Sequence, residues 1–141
     1  MERTRLLLAG VAIAALGLVA CSSDSKDEGF TVTEKDFSVT PSETHVAAGK
    51  VTMKVENKGE QAHELVVFRT DLDANDLPLN ADGDRIDEEG AGITHLDPEA
   101  EDIPVGGSKV ITVDLPAGRY VFVCNLAGHY GKGMRAVVTT G

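Results

Sequence analysis

The chain has no tryptophan, only 4% aromatic residues, and two cysteines among 141 residues. Two cysteines exclude a disulfide-dense scaffold, so a hydrophobic core must hold the chain together. Basic residues are scarce: 13 Lys and Arg stand against 23 Asp and Glu, a formal net charge of −10. That deficit excludes a general nucleic-acid binder, because affinity for phosphates needs clustered Lys and Arg. Long apolar runs are lacking too. The one candidate, Leu6 to Ala20, has fifteen uncharged residues, short of the about 20 that a membrane-spanning helix needs. An apolar content of 42% excludes wholesale disorder. The length suits one domain with a real core and is too short for two catalytic domains.

What is present begins with an address. Arg3 and Arg5 precede the apolar run, and Leu18-Val19-Ala20-Cys21 ends it. A charged start, a short apolar stretch and small residues before a cut make a secretory signal. Small residues just before a cysteine resemble the lipobox of bacterial lipoproteins. That resemblance implies cleavage before Cys21 and a lipid on its sulfur. Residues 1–20 are therefore expected to be a lipoprotein signal peptide, 21–29 a lipidated cysteine with a polar tether, and 30–141 the folded domain. The expected location is extracytoplasmic, lipid-anchored to the cell membrane on its periplasmic or outer face.

From Phe30 onward the pattern is that of strands. In Val51-Thr-Met-Lys-Val-Glu-Asn57 the apolar residues alternate with polar ones, the mark of a half-buried antiparallel strand. Asn57-Lys-Gly-Glu60 reads as a turn. Glu64–Phe68, Val110–Leu115, Tyr120–Cys124 and Ala136–Thr140 read as further strands, and no long helical period appears. Short strands separated by turn residues predict an all-β sandwich or barrel. Tyr120, after a glycine, resembles the tyrosine corner of Greek-key sandwiches and is expected to be structural.

The segment from Asp71 to Asp102 breaks the pattern. It holds twelve acidic residues and one basic residue, Arg85. It reads as an acidic excursion between two strands, mostly a solvated loop. Asp71-Leu-Asp-Ala-Asn75 begins like a calcium loop, but Asp76 stands where a glycine is needed.

With Cys21 acylated, Cys124 has no disulfide partner in the chain. A lone thiol in an oxidising compartment is either buried and inert, a nucleophile, or a metal ligand. The run Cys124-Asn-Leu-Ala-Gly-His129-Tyr-Gly-Lys-Gly-Met134 spaces a thiol, an imidazole and a thioether five and five. Its glycines let one tight loop aim all three at a point. Soft sulfur donors with imidazole suit copper, and a trigonal His₂Cys site with a weak axial Met is an electron-transfer arrangement. A second histidine must come from elsewhere. His63, at the entry of a strand, is favoured; His95, in the acidic excursion, is the reserve, and His45 is expected to face solvent. Taken singly, Cys124 and Met134 could be core residues and His129 a turn cap.

Asn57-Lys-Gly-Glu-Gln-Ala-His63, with Gly118-Arg-Tyr-Val-Phe-Val-Cys-Asn-Leu-Ala-Gly-His-Tyr-Gly-Lys-Gly-Met134, resembles the cupredoxins, the blue (type 1) copper proteins. The spacing is similar to that of the rusticyanin and sulfocyanin members. The resemblance covers the strand-forming parts of residues 30–141. It implies an antiparallel Greek-key β-sandwich, with the acidic segment as an insertion, and one-electron transfer by a carrier that is not an enzyme. It implies a single type 1 copper, Cu(II)/Cu(I), held by His63, Cys124 and His129 with Met134 axial. Two positions depart from the family pattern. Glu64 stands where Asn or Ser often follows the first ligand, and is expected to lower the potential and make it pH-dependent. Ala127 stands where many relatives have proline, which loosens the loop.

The expected partner is a redox protein with a basic docking surface, met by a small patch around His129 made of Leu126, Ala127, Gly128, Tyr130 and Gly131. No nucleic acid is expected, and a monomer is. The alternative is a copper delivery or buffering module with the same ligands. Only Met53 and Met134 lie beyond the leader, which speaks against the methionine-rich tracts of delivery.

Overall fold

The computed structural model describes residues 29–141; the expected signal peptide and the tether through residue 28, with Cys21, lie outside the described residues. Nine strands follow in order: β1 (Thr31–Lys35), β2 (Ser38–Pro41), β3 (His45–Val46), β4 (Gly49–Asn57), β5 (His63–Arg69), β6 (Thr94–Ile103), β7 (Ser108–Leu115), β8 (Gly118–Val123) and β9 (Arg135–Thr140). One turn of 3₁₀ helix, Tyr130–Lys132, precedes β9. No helix among the described residues is long and apolar enough to cross a membrane.

The alternating pattern of β4 does what period-two patterning requires. Val51, Met53 and Val55 are buried while Lys50, Thr52 and Lys54 are exposed. β4 joins a four-stranded sheet in the order β2-β1-β4-β7, and the other strands form a second sheet, β3-β9-β8-β5-β6. The chain changes sheet five times, between β2 and β3, β3 and β4, β4 and β5, β6 and β7, and β7 and β8. The apolar faces close on one core that includes Val32, Met53, Val55, Leu65, Val67, Ile103, Leu115 and Phe122. The all-β sandwich is as expected, but it is not wholly antiparallel: β1 runs parallel to β4, and β3 to β9. Alternation sets which face of a strand is buried; it carries no information on the direction of its neighbour. The Tyr120 hydroxyl donates to the Pro116 carbonyl, as a tyrosine corner would.

The acidic excursion differs from a solvated loop. Its last part is β6, the edge of the second sheet, paired antiparallel with β5 through two register irregularities. The part before β6 folds back over the outer face of that sheet. Leu77 and Ile86 are buried there against Val66, Phe68, Val121, Val123 and Tyr130. Burial of each of these two side chains contributes about 1.5–3 kcal/mol. Strands β5 and β8 are consequently buried on both faces, and their unbroken apolar runs, Leu65–Phe68 and Tyr120–Cys124, are the sequence form of that burial.

Candidate metal centre

His63 is the first residue of β5, and Cys124 directly follows β8, the strand hydrogen-bonded to β5. His129 precedes the 3₁₀ turn, which ends at Gly133 with φ 115°. That left-handed conformation suits glycine and turns the chain into Met134 and β9. The loop is closed on itself: the Cys124 N–H donates to the Met134 carbonyl (3.1 Å) and the Met134 N–H to the His129 carbonyl (3.2 Å). His63, Cys124 and Met134 are fully buried and His129 is 7% exposed.

Three of the four expected ligand residues meet at donor-atom distance. His63 Nδ1 lies 3.3 Å from His129 Nδ1, and Cys124 Sγ lies 3.8 Å and 3.4 Å from these two nitrogens. The point equidistant from the three atoms is about 2.0 Å from each, close to metal–imidazole and metal–thiolate bond lengths. Two imidazole nitrogens and one sulfur, buried and convergent, can hold a single soft or borderline metal ion. Met134 is brought to the same loop by its backbone bonds.

The electrostatics suit a cation. Burial pushes the Cys124 thiol up to about 12, against the opposing effect of the Glu64 and Leu126 backbone N–H groups directed at the sulfur. A positive ion reverses this by binding the thiolate. Burial, with His63 and Lys132 nearby, pulls the His129 imidazole down, so the neutral, metal-binding form is favoured. Burial alone would raise the Asp36 carboxyl. Hydrogen bonds from the Glu60 N–H and from His63 outweigh it and hold Asp36 below its usual range.

The residues that fasten this site come from unexpected places. Asn125 pairs with the excursion like a strand: its Oδ1 accepts from the Ile86 N–H (2.7 Å), and its Nδ2 donates to the Ile86 carbonyl (3.2 Å) and to Glu88 Oε1 (2.8 Å). The Gly128 N–H donates to the Asp84 carbonyl (2.7 Å). The Tyr130 hydroxyl accepts from the Leu77 N–H (3.1 Å) and donates to the Ala74 carbonyl (2.9 Å). Tyr130 is thus a buried staple and not part of a surface patch. The ligand loop, lacking a proline at Ala127, is held instead by the acidic excursion. From the other side, Asp36 Oδ1 accepts from His63 Nε2 (2.7 Å), and the Phe37 ring stands edge-on to His129 at 5.2 Å.

The remaining sequence candidates lie elsewhere. His95 sits against Phe68, between Glu88 and Glu99, away from the sulfur–imidazole triangle. His45 is exposed and bonded to Thr139. Glu64 is partly buried, and burial, then Glu99 and Glu88, push its carboxyl up to about 7.

The model of the cupredoxin-like domain family matches residues 7–137. No curated protein sequence matches. Among solved structures, reduced auracyanin from Roseiflexus castenholzii superposes with a TM-score of 0.56 at 23% identity, over 79% of this chain and 94% of that one. Auracyanin A from Chloroflexus aurantiacus, a blue copper protein, gives 0.50 at 17% identity over 79% and 96%. Rusticyanin from Thiobacillus ferrooxidans gives 0.51 at 18% identity over 79% and 76%. At such identities these structures establish the shared fold, and the family match covers nearly the whole chain. The chain belongs to the cupredoxin-like domain family.

Proposed function

We propose that this chain is a membrane-tethered blue copper protein that carries single electrons between redox partners. His63, Cys124 and His129 are the equatorial ligands in this reading, and Met134 the axial one. The observation that carries it is the buried triangle of one sulfur and two imidazole nitrogens, 3.3–3.8 Å on a side. Copper bound there supplies a one-electron cycle between Cu(II) and Cu(I). The protein supplies rigidity. Two donors sit at the ends of adjacent strands, and the third sits on a loop fastened to the excursion, so the donor atoms move little when the charge changes. Burial of all four side chains favours retention of the ion over hand-off, and so electron transfer over copper delivery.

The export signal and Cys21 lipid anchor belong to the same reading, with residues 21–29 tethering the domain 30–141 outside the cytoplasm. Leu126, Ala127, Gly128 and Gly131, above His129, form the docking patch for a redox partner with a basic surface. A monomeric carrier without enzymatic activity is the corresponding assembly.

The test is the visible spectrum of the purified protein loaded with Cu(II). An intense thiolate–copper band is expected. Cys124→Ser abolishes it, while Met134→Leu keeps it and shifts its hue. A colourless loaded protein refutes the assignment, and a band that survives His63→Ala refutes His63 as ligand.

A further inference from the structure

The turn between β1 and β2 is a third wall of the metal centre. Lys35 and Ser38 pair across it, leaving Asp36 and Phe37 as its two tip residues. β1 lies beside β4, and the Lys58 N–H donates to the Glu34 carbonyl (2.8 Å), so the turn is pressed against the chain leading into His63. Asp36 there uses both oxygens. Oδ2 accepts from the Glu60 N–H (3.0 Å) and Oδ1 from His63 Nε2 (2.7 Å). Gly59 leaves the room: a Cβ at that position would collide with Asp36 Oδ1 and His63 Nε2 together.

His63 turns Nδ1 to Cys124 and His129. A neutral imidazole binds a metal through its unprotonated nitrogen, so its one proton must sit on Nε2. A carboxylate facing Nε2 selects that tautomer, fixes the ring and makes the opposite nitrogen more basic.

We infer that Asp36 is a positioning residue that holds His63 as the Nε2–H tautomer and, through that imidazole, weights the centre toward Cu(II). This rests on the copper reading above. Its effect is one of charge and not merely of shape. Asn at position 36 keeps the size and one acceptor oxygen for His63 but loses the negative charge, and its NH2 group cannot accept from the Glu60 N–H.

The experiment compares the full chain with Asp36→Asn at one fixed pH. Affinity for Cu(II) is expected to fall about ten- to a hundredfold, affinity for Cu(I) by less, and the reduction potential to rise, with the blue band retained. An unchanged potential and an unchanged Cu(II)/Cu(I) affinity ratio overturn the inference. Imidazole ¹⁵N shifts of the metal-free wild-type protein give a second reading that needs neither a folded variant nor copper. They should report His63 as the Nε2–H tautomer; an Nδ1–H or freely exchanging ring overturns the proposal. If the wild type is colourless with Cu(II) yet holds that tautomer, the copper reading has failed and the Asp36–His63 contact stands.

Discussion

Glu34 is the least expected residue of the core. It follows Val32 on the inward face of β1, is fully buried, and neither carboxyl oxygen has a hydrogen-bond partner among the described residues. Burial first, and the charge of Glu64 second, push its carboxyl from 4.5 to about 8. The folded chain therefore keeps a proton that the unfolded chain releases above about pH 4.5. The stability that Glu34 contributes must fall as pH rises between about 4.5 and 8, by up to about 1.4 kcal/mol per unit and at most about 5 kcal/mol in all. Glu34→Gln removes the ionisable group and should flatten that slope. Urea unfolding of the metal-free protein at pH 5 and pH 8 measures it; a variant as pH-sensitive as the parent contradicts the account. Cys124 presents the same physics with the opposite remedy, since a bound cation stabilises its thiolate where Glu34 has no counter-charge.

At the scale of elements, the excursion before β6 and the ligand loop act as one piece. Tyr130→Phe leaves the Leu77 N–H and the Ala74 carbonyl without their partner, which should cost about 1–3 kcal/mol. It should also broaden the copper band by loosening His129. Thermal unfolding and the visible spectrum check both; a stable variant with an unaltered band means that the staple is idle. The meeting of Cys124 and His129 was legible in the sequence because one loop contains both, and that of His63 because it opens a strand. Asn125 and Tyr130 were not, since their partners lie in a stretch whose two apolar anchors, Leu77 and Ile86, are hidden among acids. A signal did exist. Unbroken apolar runs in β5 and β8 mean strands covered on both faces, so some segment had to cover the outer one. Asp36 gave no such sign: 27 residues separate it from His63, and the parallel β1–β4 pairing that brings them together leaves no trace in alternation.

For the whole molecule, the formal charge of −10 governs encounters. The acidic excursion is fastened to the loop that carries Cys124 and His129, so small cationic redox reagents should react faster with an ion held there than anionic ones of equal driving force. Raising the ionic strength from about 10 to about 200 mM should shrink that preference several-fold, as the screening length falls below 10 Å. Stopped-flow reduction with the two reagents tests this; equal rates at low salt would show that the excess charge is not felt at the site.

Surface insertions ordinarily tolerate trimming, since nothing depends on their path. Here Ala74, Leu77, Asp84, Ile86 and Glu88 all grip residues 125–130. Shortening the stretch would reach the donor atoms as slack. Apart from Glu88, whose carboxylate is itself a grip, this molecule is therefore free to redistribute charge along its insertion but bound to keep the contour, as a buckle can be repainted but not shortened.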